Sequence, residues 1–282
     1  MSGIAPTQQK DLHDFTSLPV SAWHDRAMSS LTRGRASLSR SLTLLRSISH
    51  EQSEPELFYR PLAEDTADLL TSLSLDLLGK DLDGAKVLDV GGGPGYFAEA
   101  FGTREASYIP VEPDVGEMAA AGINVPGSIR GSGMSLPIRN DAFDLVYSSN
   151  VAEHVDQPWV MGEEMLRVTR PGGLMILSYT IWLGPFGGHE TGLWEHYVGG
   201  GFARDRYHRK HGYPPKNVFG ESLFDVSCAE GLKWANSVQD RGLAEVSLAF
   251  PRYHPAWAWW LVRVPIVREF LVSNLVIVLR KR

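Results

Sequence analysis

The stretch Val87-Leu88-Asp89-Val90-Gly91-Gly92-Gly93-Pro94-Gly95-Tyr96-Phe97 decides the fold. Apolar β-formers run into a glycine cluster, and a helix-like apolar stretch from Phe97 to Phe101 leaves it. That is a strand, a tight turn and a helix, the arrangement in which backbone approaches a ligand closely. Gly91, Gly93 and Gly95 stand at alternate positions, where they supply turn dihedrals and a closeness that a Cβ would obstruct. Several nucleotide-binding α/β units share such a turn, dinucleotide-binding ones among them, so the choice falls to the residues that follow.

Working outward, Tyr108 to Glu112 reads as a second strand, with Glu112 placed 23 residues beyond Asp89. An acid at a strand end there accepts hydrogen bonds from the two hydroxyls of a ribose. Next come Gly131-Ser132-Gly133-Met134-Ser135-Leu136-Pro137 and the strand-like Ala142-Phe143-Asp144-Leu145-Val146-Tyr147-Ser148-Ser149-Asn150. Val151-Ala152-Glu153-His154-Val155 leads to a helical pattern over Trp159 to Arg170. Pro171-Gly172-Gly173 stops it, and Leu174 to Ser178 reads as a strand buried on both faces. Further on, Ser227 and Glu230 have capping-box spacing, and two more strands are expected over Leu243 to Phe250 and Asn274 to Leu279.

Read as Asp-x-Gly-x-Gly-x-Gly, the turn resembles the first motif of class I S-adenosylmethionine (SAM) dependent methyltransferases. The succession of glycine loop, Glu112-Pro113-Asp114, Gly131 to Pro137, Phe143-Asp144-Leu145-Val146, Glu153-His154 and Arg167-Val168-Thr169-Arg170-Pro171-Gly172-Gly173 resembles their methyltransferase-11 group. It differs from the succession in a dehydrogenase. The resemblance implies a Rossmann-like α/β fold, a seven-stranded mostly parallel sheet with an antiparallel last strand. It implies SAM as cofactor, held by Asp89, Gly91, Gly93, Gly95, Glu112, Ser132, Gly133, Met134 and Asn150, with Tyr59 covering it from the lead-in helix. One departure stands out: Ser132 occupies the place of the usual aspartate, so a hydroxyl replaces a carboxylate at the adenine. The segments Ser148 to Val155, Trp182 to Glu190 and Phe270 to Asn274 resemble mycobacterial and related actinobacterial methyltransferases. That association suggests a sugar O-methyltransferase of methylated polysaccharide biosynthesis.

Composition bounds the remaining classes. The chain has 282 residues, a formal charge of −6 and one cysteine. Net negative charge argues against a nucleic acid partner, and one cysteine excludes an internal disulfide. No signal-type apolar run opens the chain, so a cytoplasmic location is expected, and the tryptophan-rich stretch from Trp257 to Leu271 is interrupted well short of a membrane span. Residues 1–50 read as a flexible tail plus a basic amphipathic helix: Arg26 to His50 carries five arginines and no acid, and Leu31, Leu38, Leu42 and Leu45 can share one helical face. Such a helix suits a domain cap, a homodimer contact or weak attachment to an anionic membrane. Residues 51–282 read as the catalytic domain, with a substrate-side insertion at about 181–222.

That insertion mixes aromatics with His, Glu and Gly, which is pocket-wall rather than core patterning. Trp182, Glu190, Trp194, His196 and Tyr197 are its candidate contacts to a small-molecule or oligosaccharide acceptor. Methylating a hydroxyl requires loss of its proton. His154 is the first candidate base, although a structural histidine fits the same position; His189 is the second, with Glu190 to orient it. A magnesium-assisted variant, taken from the resemblance, would draw oxygen ligands from Glu153, Asp156 and Glu190. Lipid or polyketide acceptors, and a SAM-binding module without turnover, remain open at this level.

Overall fold

The computed structural model describes residues 29–47, 55–119, 122–123 and 125–282. Among these, seven strands form one sheet: β1 (Lys86–Val90), β2 (Ser107–Glu112), β3 (Ile129–Arg130), β4 (Phe143–Ser149), β5 (Thr169–Thr180), β6 (Ala244–Pro251) and β7 (Asn274–Lys281). Their order is β3-β2-β1-β4-β5-β7-β6. The first five run parallel, and β7 lies antiparallel to both β5 and β6. This is the class I methyltransferase sheet that the motif order implied. The poor apolar pattern before Gly131 becomes a two-residue edge strand, and β5 starts at Thr169, ahead of Pro171-Gly172-Gly173.

Alternate residues of each central strand enter opposite layers. Val87, Leu145, Ile176, Val276 and Val278 pack with Ala63, Ala67, Leu70 and Leu73 of α3 (Pro55–Leu78) and with Ala100 and Phe101 of α4 (Phe97–Gly102). Leu88, Val146, Leu177 and Ile277 pack with Met161 and Met165 of α6 (Pro158–Val168) and with Leu232 and Ala235 of α9 (Cys228–Asp240). Both faces are covered, so the strands read as nearly continuous apolar runs. Ser227 caps α9 as its spacing predicts, its Oγ accepting from Glu230 N at 3.1 Å while Ser227 N donates to Glu230 Oε2 at 3.2 Å. Cys228 is fully buried, and burial pushes its thiol pKa well up, which fits an apolar filler.

Strand order reverses at β1, between β2 and β4, and in open α/β sheets the crevice outside the carboxyl ends of such strands takes the ligand. Because β6 runs parallel to β5, the segments leaving β1, β4, β5 and β6 all open onto this one edge.

The expected tail, residues 1–28, lies outside the described residues. The basic segment forms two helices, α1 (Ser30–Arg35) and α2 (Leu38–Ser47), broken at Ala36 and Ser37. They dock by their polar side. Thr32 N and Oγ1 donate to Asp76 Oδ2 at 2.9 and 2.7 Å, Arg35 pairs with Asp68, and Arg40 pairs with Asp65. Arg33 lies over the Trp259 ring at 4.6 Å. The aspartates along α3 draw the arginines inward, which leaves Leu31, Leu38, Leu42 and Leu45 exposed.

Candidate active site

The glycine turn is closed to side chains. Gly91 has φ +85° and its Cβ would stand 2.4 Å from Val151 Cγ2; Gly95 has φ +87° and its Cβ would stand 2.5 Å from Val125 Cγ2. The chain leaving β4 therefore packs directly on the turn leaving β1. Glu112, half-buried at the end of β2, accepts from Gly93 N at Oε2 and from Asp114 N at Oε1, each at 3.2 Å. Burial pushes its carboxyl pKa up. A carboxylate has about four lone-pair sites, so each oxygen keeps capacity for a ribose hydroxyl. Gly93, Gly95, Glu112, Met118, Ile123 and Val125 line a cavity here. These residues fit an adenosyl group: backbone packed to the limit on one side, carboxylate acceptors and apolar walls on the other.

Asp89 is held differently. It is 3% exposed, and its Oδ2 accepts from Tyr108 Oη at 2.7 Å and Tyr147 Oη at 2.6 Å. A Cβ on Gly92 would meet that same oxygen at 3.2 Å, so Asp89 braces the turn from beneath. Desolvation raises its pKa to about 6, against the opposing pull of the two tyrosyl hydrogen bonds. Tyr59 stacks on Tyr96 at 5.0 Å, which brings the lead-in helix to the glycine turn. In the Gly131 to Pro137 loop, the Ser132 hydroxyl accepts from Met134 N at 3.2 Å, Gly133 lies against Met161 and Val90, and Met134 packs on the α6 side of the core.

Asn150 ends β4 with φ +56°. Its Oδ1 accepts from Asn274 Nδ2 at 2.7 Å, and its Nδ2 donates to Tyr253 Oη at 3.4 Å. Beside it lies Arg252, which the sequence reading missed. It is 2% exposed, donates to Ser149 Oγ, Ser178 Oγ and Thr66 Oγ1, and has no hydrogen-bond partner for Nε. Thr66 is 186 residues away along the chain, so no local pattern marks this arginine.

On the far side of the β4 end, the 3₁₀ turn Ala152–His154 buries Glu153 to 1% exposure. Thr180 N donates to its Oε1 at 3.1 Å, while Oε2 has no partner among the described residues. His154 Nδ1 stands 2.8 Å from Ser222 O, and His189 Nδ1 stands 3.1 Å from Gly187 O. A carbonyl only accepts, so each Nδ1 carries a proton, and in the neutral ring the lone pair is on Nε2. The two rings meet edge to face at 5.0 Å. The structure thus gathers Glu153, His154 and His189, one ligating atom of each lying within 4.8 Å of the others. It does not add Asp156 or Glu190: Asp156 is exposed, and Glu190 accepts from Asn217 N at 2.6 Å and Nδ2 at 2.9 Å. Glu190 therefore ties the insertion together instead of orienting His189.

The expected acceptor wall divides in two. Trp182 is half-buried and His196 buried, with Trp182 packed on Phe219 at 4.7 Å and on His196 at 5.6 Å. His196 is 1% exposed with Nε2 at 3.1 Å from Gly184 O, and burial lowers its pKa. Trp194 and Tyr197 are on the surface, Trp194 at the start of α7 (Glu195–Val198), which α8 (Gly200–His211) follows, and Tyr197 within α7, where it stacks on Phe270 at 6.2 Å.

A closed glycine turn, a half-buried glutamate at the end of β2 and the Glu153–His154–His189 cluster thus lie at neighbouring strand ends. A family model described as "Methyltransferase domain" matches residues 88–177. An uncharacterized methyltransferase of Mycobacterium marinum is 58% identical over 252 residues, covering 88% of this chain and 96% of that protein. One of Mycobacterium tuberculosis is 57% identical over 249 residues, covering 87% and 96%. Among solved structures, an S-adenosylmethionine dependent methyltransferase of Mesorhizobium loti aligns over 76% of this chain and 98% of its own at 16% identity, with a TM-score of 0.48. The chain belongs to the SAM-dependent methyltransferase family, which removes the dehydrogenase reading. Among the described residues, no helix is long and apolar enough to cross a membrane.

Proposed function

We propose that the enzyme methylates a hydroxyl of an amphipathic acceptor, a carbohydrate-type hydroxyl carried on an apolar moiety. The carrying observation is His154: its Nδ1–H is fixed on Ser222 O, its Nε2 lone pair is left over, and it stands three residues beyond the Val151 that packs on Gly91. When bound, SAM supplies a methyl group already activated on a sulfonium, so the protein's own work is alignment and proton removal. Glu112 and the glycine turn hold the donor side. His154 Nε2 would take the hydroxyl proton as the acceptor oxygen displaces the sulfur from the methyl carbon, the sulfur leaving as a neutral thioether; a nitrogen or carbon acceptor would not require the base in the same way.

The apolar part of the acceptor is inferred from the rim. Leu193 is 69% exposed and Val198 61%, and Trp194 and Phe202 stand beside them. On the segment after β6, the 3₁₀ helix Ala256–Arg263 exposes Trp257, Trp260 and Arg263 at three-residue spacing, which places them in line along one side. Exposed aromatics on this scale mark binding surfaces. A free sugar would cover only part of this apolar surface, whereas an alkyl or polyketide glycoside would cover more of it.

The magnesium variant does not fit, because Asp156 and Glu190 are not brought to Glu153 and magnesium favours all-oxygen shells. The test is transfer of labelled methyl from SAM to free hexoses, alkyl glycosides and long-chain alcohols, with His154→Gln alongside. Turnover on alkyl glycosides at least tenfold above free hexoses, reduced by roughly 10²–10⁴ in His154→Gln, is expected. Transfer to amines, or full turnover in His154→Gln, overturns the reading.

A further inference from the structure

We propose that Glu153, His154 and His189 form a binding site for a divalent first-row transition cation of the zinc type. Three independent features converge. The buried Glu153 Oε2 has no hydrogen-bond partner, although its sister oxygen is fixed by Thr180 N. An orphaned buried carboxylate oxygen is costly if ionised and unpaired, and one that a native fold retains calls for an explanation such as a bound ion. Both imidazoles are anchored alike, Nδ1–H on a backbone carbonyl, at Ser222 and at Gly187. That is the outer-shell arrangement that fixes tautomer and ring direction in metal-ligating histidines, leaving Nε2 for the cation. One ligating atom of each residue, an imidazole nitrogen or a carboxylate oxygen, already lies within 4.8 Å of the others. Nitrogen and oxygen ligands at about 2.1 Å from one zinc stand roughly 3.4 Å apart, so side-chain rotations of about an ångström complete the site.

The loop that delivers His189 is built for one position. His189 has φ +48°, a strained conformation for a residue with a Cβ. A Cβ on the preceding Gly187 would stand 1.8 Å from Trp182 O, so the loop is pressed against the exit of β5. The next residue, Glu190, is clamped on Asn217 N and Nδ2. Strain held from both sides at a side chain with an open ring nitrogen marks a positioned ligand better than a surface histidine.

The donor set chooses the cation. Two imidazole nitrogens and one carboxylate oxygen suit zinc, iron or manganese, and they match the three-ligand sets that keep a position open for water or substrate. For its place in the reaction the site rests on the hydroxyl-acceptor reading; for its existence it rests on geometry alone. Metal-free, His154 Nε2 accepts a proton; metal-loaded, the same lone pair is a ligand. Binding therefore decides the proposal, and turnover does not.

The experiment titrates chelator-stripped full-length protein with Zn²⁺ by competition against a chromophoric chelator, and records the visible spectrum of the Co²⁺ form. His189→Ala and Glu153→Gln are measured in parallel, with thermal melting and calorimetric SAM binding as controls. One Zn²⁺ per chain is expected, with affinity at least about tenfold lower in each variant and SAM affinity within about twofold of wild type. Unchanged zinc affinity in His189→Ala places the cation on other histidines and overturns the proposal, as does the absence of saturable binding by wild type. Loss of SAM binding in every form would instead strike at the methyltransferase reading. If Glu153→Gln does not fold, His189→Ala on its half-buried loop decides alone.

Discussion

Replacing Asp89 by Asn should flatten the pH dependence of stability between about pH 4.5 and 8. Asp89 is 3% exposed, and both of its described hydrogen-bond partners, Tyr108 and Tyr147, donate to one oxygen. Burial raises its folded-state pKa from 3.8 to about 6. A carboxyl whose folded pKa lies above its unfolded value binds a proton more tightly when folded. Its contribution is therefore most favourable below the unfolded value, declines as pH rises towards 6, and levels off above. At about 1.4 kcal/mol per unit, the ionised group costs the fold about 3 kcal/mol at neutral pH. Between pH 4.5 and 8 the wild-type contribution should worsen by about 2 kcal/mol, while an amide contributes no such slope. Both tyrosines have pKa values pushed well above 10 by burial, so they remain donors throughout. The assay is urea unfolding at a series of pH values, followed by fluorescence from the eight tryptophans. Titrations elsewhere cancel in the wild-type minus Asp89→Asn difference. A difference that is flat with pH, or that shifts in favour of wild type as pH rises, would refute the claim that desolvation outweighs the tyrosyl hydrogen bonds.

Three further outcomes follow from the site. Gly95→Ala forces φ +87° on a residue with a Cβ and places that Cβ 2.5 Å from Val125 Cγ2; SAM affinity should fall at least tenfold in calorimetry with the chain still folded, at a stability cost of about 1–3 kcal/mol. Glu190→Ala removes two hydrogen bonds from Asn217 and should raise acceptor KM by several-fold while leaving SAM affinity unchanged, with about 1–2 kcal/mol lost in stability. Trp257→Ser with Trp260→Ser should leave the melting temperature within a few degrees, since both rings are exposed, yet raise KM for alkyl glycosides by about tenfold or more. Steady-state kinetics against a short-chain and a long-chain glycoside separates this from a general loss of activity.

Much of the fold was legible because its signals are local. The glycine turn, the near-continuous apolar strands, Glu112 at a strand end and the Ser227–Glu230 capping box each lie within a few residues, where sterics and periodicity decide. What escaped depends on separation. Tyr108 and Tyr147 reach Asp89 across 19 and 58 residues, and turn an expected cofactor contact into a brace beneath the turn. The leucine spacing of the basic segment presumed one continuous helix with an apolar underside. The break at Ala36 and the aspartates of α3 reversed that orientation, because pairing arginines with Asp65 and Asp68 satisfies charges that leucines cannot. His189 joins Glu153 and His154 only through the fold of the insertion, which no periodicity announces.

Three buried charged side chains crowd the strand ends, and the way each is satisfied separates support from chemistry. Asp89 accepts two tyrosyl hydroxyls, and with its raised pKa it can also be relieved by protonation. Arg252 lacks a partner only at Nε; its terminal nitrogens reach three hydroxyls, and the guanidinium lies 5.3 Å over the Tyr253 ring. Both therefore have answers within the protein. Among the described residues, Glu153 has one oxygen fixed on Thr180 N and the other unmet, with the imidazoles of His154 and His189 close by. An imidazole nitrogen without a proton cannot donate to the carboxylate. Only a proton or a cation arriving between them satisfies the three together. On the proposed readings, acceptor deprotonation at His154 would supply the first, by making one imidazole a donor, and metal binding would supply the second. The unmet oxygen would then lie where charge changes, whereas Asp89 and Arg252 find partners within the protein.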